Sequence, residues 1–149
     1  MKIDKILWPT DFSSNAAKAL PFVTSLSEKY QSEVHVLYVL ESFGHYGAWY
    51  GEFDPSQIEE IHAWEKKTAQ KRLHEICANH LEGCPLYIRH IAIGEPAKEI
   101  LRLGDEEEVG MIVMASQGRE GHFHFGGVAE KVLKNAKVPV LTIPVDSNS

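Results

Sequence analysis

Cysteine is scarce in this chain: Cys77 and Cys84 are the whole complement, and they form no CxxC pair. Cys77 falls on an apolar helical stripe and Cys84 precedes Pro85 in a loop, so one is expected to fill core and the other to be a spare thiol. No apolar run approaches the roughly 20 residues that span a bilayer, so no transmembrane helix and no membrane partner are expected. Met1-Lys2-Ile3-Asp4-Lys5 lacks the apolar core of a signal peptide, and a cytoplasmic location is the expectation. A basic block is also missing. With a net charge of −6 the chain has no obvious patch for releasing counterions from DNA or RNA, so nucleic acid is not an expected partner. Nor is there an internal repeat or a low-complexity segment.

What is present is an ordinary globular composition, 44% hydrophobic and 24% charged over 149 residues, enough for one domain with a proper core. Lys5-Ile6-Leu7-Trp8 forms the first expected strand, closed by Pro9-Thr10-Asp11. Asp11, Ser13 and Ser14 offer oxygens for capping the helix that follows, whose stripe is Ala16, Ala19, Leu20, Val23 and Leu26. Pro21 interrupts that stripe and should kink the helix or delay its start. Val34 to Leu40 is nearly continuous in apolar character, as in a parallel strand buried on both faces. A segment of aromatics and glycines from Phe43 to Phe53 follows; it suits a mobile loop packing over the second helix, or a partner surface.

Asp54-Pro55 supplies an N-cap with proline at the first helical position, and that helix runs to about His80. Leu86 to Ile93 is a third strand. Gly94-Glu95-Pro96 opens a short helix with Ile100, Leu101 and Leu103, and Asp105 to Glu108 is expected as a solvated turn. Met111 to Ala115 is a fourth strand, then come a glycine-bearing loop and a helix with Val128, Val132 and Leu133. Pro139 to Pro144 contains the fifth strand. The alternation is that of an α/β fold, an open parallel sheet with helices on both faces, whose ligands sit at strand carboxyl ends where strand order reverses.

The run from Met111 to Ala136 carries the most chemistry. Glycines let a backbone curl and approach a ligand closely. A helix start behind them offers unpaired N–H donors and a positive dipole end, which suits phosphate. His122 and His124 form an HxH flanked by Phe123 and Phe125. Both imidazoles would point to one side, half of a metal site, but no further ligands follow by spacing. A pocket lid or dimer contact built from the two phenylalanines is the better reading.

Several segments together resemble the universal stress protein family over nearly the whole chain. These are Lys5-Ile6-Leu7-Trp8-Pro9-Thr10-Asp11-Phe12-Ser13, Gly94-Glu95-Pro96, Ile112-Val113-Met114-Ala115-Ser116-Gln117-Gly118-Arg119, Gly127-Val128-Ala129-Glu130-Lys131-Val132-Leu133 and Pro139-Val140-Leu141. The resemblance implies a single domain over residues 1–149 with flexible ends, a Rossmann-like five-stranded sheet ordered 3-2-1-4-5, and a homodimer through the last strand (Val140, Leu141, Thr142, Ile143). It also implies ATP or another adenine nucleotide as cofactor, with Mg as its companion ion, across the ends of strands 1 and 4. The binding residues would then be Pro9, Thr10, Asp11, Val39, Met114, Ala115, Ser116, Gly118, Arg119, Gly126, Gly127 and Val128.

In nucleotide-binding members the phosphate loop reads Gly, two residues, Gly, nine residues, Gly, then Ser or Thr. This chain departs from that in three places. Ala115 stands at the first glycine, only the seven residues Arg119 to Phe125 separate Gly118 from Gly126, and Gly127 replaces the hydroxyl residue. A Cβ at position 115 blocks close approach, and the missing hydroxyl removes a hydrogen bond worth about 1 kcal/mol. The shorter loop moves the whole wall of the cradle, so weaker affinity than an intact motif would give is expected.

No catalytic constellation assembles. Gly-x-Ser-x-Gly, Gly-x-x-x-x-Gly-Lys-Ser/Thr and His-Glu-x-x-His are all absent. Three readings remain: a stress-response protein that senses or stores an adenine nucleotide, a dimeric interaction module of the same family without nucleotide, and an enzyme using His122 and His124.

Overall fold

The structure is a computed structural model and describes residues 2–41, 54–81, 86–117 and 127–145. Five parallel strands form one sheet: β1 (Lys5–Pro9), β2 (Glu33–Glu41), β3 (Leu86–Gly94), β4 (Met111–Ala115) and β5 (Val140–Ile143). Their order is β3-β2-β1-β4-β5, as the resemblance implies. Five helices flank them: α1 (Ser14–Ala17), α2 (Leu20–Tyr30), α3 (Pro55–His80), α4 (Pro96–Glu106) and α5 (Val128–Asn135).

Strand alternation divides the core in two. Ile6, Trp8, Val34, Val36 and Val113 point to one face, where they meet Leu20 and Val23 of α2 and Leu73 and Cys77 of α3. Cys77 is fully buried there, as its place on the stripe predicts. Leu7, Leu37, Ile112 and Met114 point to the other face, against Ala97, Ile100 and Leu103 of α4 and Ala129 and Val132 of α5. Burial on both faces is what gives the central strands their unbroken apolar sequence.

The local signals resolve as follows. Pro21 lies in the first turn of α2, where its missing N–H costs nothing, so the periodic stretch is split into the short α1 and a late-starting α2. Asp54 caps α3 by accepting the Gln57 N–H at 2.9 Å, and the Gln57 side chain returns a bond from the Asp54 N–H at 3.0 Å, a full capping box. The acidic run is a correction: Asp105 and Glu106 belong to the last turn of α4 rather than to a solvated turn. Arg102 holds Glu106 at 2.7 Å, and the Glu107 carbonyl accepts from Lys5 Nζ at 3.0 Å. Gly110 then lies hard against the N-terminal segment, its N–H donating to the Lys5 carbonyl at 2.9 Å.

Candidate functional site

The site begins where two adjacent strands part. β1 and β4 pair only at Ile6↔Met111 and Leu7↔Ile112. Beyond that, Trp8 and Pro9 pair with β2, whereas Val113 to Ala115 pair with β5. Each strand end is tied outward by main chain: the Thr10 N–H donates to the Leu37 carbonyl and the Ser116 N–H to the Ile143 carbonyl, both at 2.9 Å. The result is a divergence at the carboxyl ends of β1 and β4, the position at which strand order reverses and ligands of open α/β sheets bind.

On the β1 side, Thr10 is buried and its Oγ1 accepts the Phe12 N–H at 3.1 Å. Asp11 was a candidate cap, but the structure assigns that role to Ser13, whose hydroxyl accepts the Ala16 N–H at 3.1 Å. Asp11 instead accepts the Ser13 N–H at 2.9 Å, the two-residue side-chain turn open to aspartate. This turn leaves Asp11 half-buried at the end of β1.

Val39 lies on β2 opposite Ala92 and packs with the cluster beneath α4 and α5. On the β4 side Met114 and Ala115 are buried, while Ser116 is half-buried just past the strand. Gly127 is the N-cap of α5 and brings no side-chain bond to the first turn, so a serine or threonine cap is missing where the family pattern has one. Val128 is exposed at the helix start. Nearby charge is already matched: Lys131 of α5 reaches Glu95 at 3.3 Å. Of the predicted residues, Pro9, Thr10, Asp11, Val39, Met114, Ala115, Ser116, Gly127 and Val128 are therefore placed on β1, β2, β4 and α5. Gly118, Arg119 and Gly126, with His122 and His124, lie outside the described residues, as does the segment from Phe43 to Phe53.

Sequence reasoning missed the surroundings of Phe12. Its backbone is left-handed, with φ of 66°, a conformation that costs a non-glycine residue on the order of 1 kcal/mol. Its ring is clasped in return. Tyr38 stacks on it at a centroid distance of 4.4 Å, and the Arg72 guanidinium sits 4.3 Å from its centroid. This stack borders a cleft of about 430 Å³ between α1 and α3, lined among others by Trp8, Thr10, Phe12, Arg72, Ile76 and His80. Leu73 and Cys77, flanking Arg72 and Ile76 along α3, pack on the sheet face opposite α4 and α5. No signal in a single sequence pairs residue 12 with residue 72.

No helix among the described residues is long and apolar enough to cross a membrane. The model of the universal stress protein family matches residues 2–144. Universal stress protein YxiE of Bacillus subtilis is 32% identical over 145 residues, covering 94% of this chain and 98% of its own. Among solved structures, that of MJ0577, a Methanocaldococcus jannaschii protein, superposes with a TM-score of 0.83 at 26% identity, covering 98% of this chain and 99% of the other. The universal stress protein from Archaeoglobus fulgidus in complex with dAMP superposes at 0.65 with 22% identity, covering 96% and 99%, a likeness of fold alone. The family match over almost the full length, on a sheet of the expected order, means that this chain belongs to the universal stress protein family.

Proposed function

We propose that the chain is a stress-response protein that binds an adenine nucleotide at the divergence of β1 and β4, and that it acts through the bound state rather than by rapid turnover. The observation that carries this reading is the parting of the two strand ends, each held to its outer neighbour, ahead of a helix whose first turn has no side-chain cap. A family relative of the same fold has been solved with dAMP. The Thr10–Asp11 turn would face the adenine and ribose side, and the N–H groups of α5 together with the Gly118 and Gly126 backbone would face phosphate. Mg would travel with the phosphates.

The protein is further proposed to be a cytoplasmic homodimer joined through β5. That strand is at the edge of the sheet, and Leu141 on it is exposed. Ala115, Gly127 and the shortened loop favour a second reading, a dimeric interaction module that has given up nucleotide.

Calorimetric titration with ATP, ADP and AMP, with and without magnesium, separates the two. Binding is expected, weakened by Asp11→Ala and abolished by Gly118→Val with the fold retained. No heat and no thermal shift at millimolar nucleotide would leave only the interaction module. Equal affinity in Gly118→Val would remove the loop from the site.

A further inference from the structure

Outside the site, a pair of histidines lies between β2 and the edge strand β3. The register sets Leu37 opposite His90, so His90 shares a face with His35, two residues before Leu37. His35 Nδ1 is 2.9 Å from His90 Nε2, and His35 Nε2 is 3.0 Å from Glu33 Oε1. The rings lie 15° from parallel with centroids 5.1 Å apart. His35 is buried and His90 half-buried.

The hydrogen positions follow from this geometry. An ionised carboxylate only accepts, so His35 Nε2 must carry a hydrogen. With His35 neutral, its Nδ1 is a bare acceptor, and His90 must donate from Nε2. The open lone pair of the chain is then His90 Nδ1. One added proton is readily held, because it turns the shared bond into a charge-assisted one with Glu33 at its end. A second proton leaves two donors and two cations facing each other 2.9 Å apart. That arrangement has no bond to hold it.

The surroundings sharpen the effect. Burial first, and His35 second, push the His90 imidazole below the ordinary histidine range, against an opposing pull from Glu107. From β1, Lys5 reaches the Glu107 carbonyl. On α4, which packs on the same sheet face, Arg102 is bound by Glu99 and Glu106. Arg89, adjacent to His90 and so on the opposite face of β3, is bonded to His74 at 3.1 Å.

We propose that the His35–His90 pair is a proton-sensitive clasp between β2 and β3, which accommodates one proton and is opened by the second. The sign is fixed by linkage. The unfolded histidine takes its proton around the ordinary value of 6.5, the folded one only at lower pH. The pair's contribution is therefore complete above 6.5, shrinks as pH falls toward the folded value, and is lost below it.

Hydrogen exchange of the intact protein, corrected for the intrinsic rate at each pH, tests this between pH 7.5 and 5. The amides of β3 are expected to lose protection relative to those of β4 and β5, about tenfold for each pH unit by which the clasp's titration lies below that of free histidine. His90→Phe should flatten that dependence. An identical profile in His90→Phe, or β3 amides that track β4 at every pH, would overturn the proposal. Should the variant not fold, imidazole nitrogen NMR of the wild type decides. His90 Nδ1 is expected unprotonated at pH 8, and a hydrogen on His35 Nδ1 at that pH would refute the arrangement.

Discussion

Two glycines a few residues apart should respond to alanine with opposite signs. At Gly110 an added Cβ would stand 2.7 Å from the Lys2 carbonyl oxygen and 3.1 Å from Ile3 Cα. Both are main-chain atoms of the segment that feeds β1, so neither can swing aside. Moving them also pulls on the 2.9 Å bond from the Gly110 N–H to the Lys5 carbonyl. Overpacking of this kind costs about 1–3 kcal/mol, which in a chain of this size lowers the melting temperature by about 2–12 °C. At Gly104, inside α4, the same Cβ meets side chains only, Val109 Cγ2 at 3.6 Å, Ile112 Cδ1 at 3.8 Å and Leu7 Cδ2 at 4.0 Å. These are ordinary contacts, and replacing a helical glycine by alanine gains about 0.5–1 kcal/mol of backbone entropy. Urea unfolding of the two variants beside the wild type measures both effects, with the slope expected to stay constant. A neutral Gly110→Ala, or a Gly104→Ala that destabilises as much as Gly110→Ala, would refute the reasoning.

Two further outcomes are expected. Ser13→Ala removes the cap of α1 and should cost about 1 kcal/mol in urea unfolding, with a change in the near-ultraviolet signal of Trp8, whose Nε1 bonds the Ala16 carbonyl. Hydrogen bonds from Ser56 and Gln57 hold the Asp54 carboxyl below its ordinary 3.8, so its hold on α3 is complete above that pH and lost as the pH falls through the lower folded value. Amide exchange in the first turn of α3, followed down to pH 2.5, should show that loss in the wild type and not in Asp54→Asn.

Much of the frame was legible because each element carries its own local cause. The continuous apolar runs at Ile6 to Trp8 and Val34 to Leu37 announce buried parallel strands, and Asp54-Pro55 marks the start of α3 by itself. Pro21 was legible too, since a proline is tolerated in a first turn and not in an interior. What stayed hidden needed partners distant in sequence or a choice between neighbours. Asp11 and Ser13 offer similar oxygens, and only the backbone path decides which one meets the helix. The left-handed Phe12 makes sense only with Tyr38 and Arg72 around it. His35 and His90 meet through a strand register that no spacing encodes. The acidic run from Asp105 to Glu108 was taken for a turn because its helical half is held by Arg102 and its last carbonyls by Lys5, across 102 positions of sequence in the latter case.

The outward tethering of the β1 and β4 ends separates two properties that are often entangled. The gap between them is held open by the bonds from Thr10 to Leu37 and from Ser116 to Ile143, which belong to the sheet and involve no side chain. Loop residues past Ser116 can then be lost, shortened or exchanged without touching the bonds that keep the gap. A lineage can therefore trade one ligand for another, or for none, while its folding stability stays where it was. In such a scaffold, melting temperature carries no information about what the protein has come to recognise.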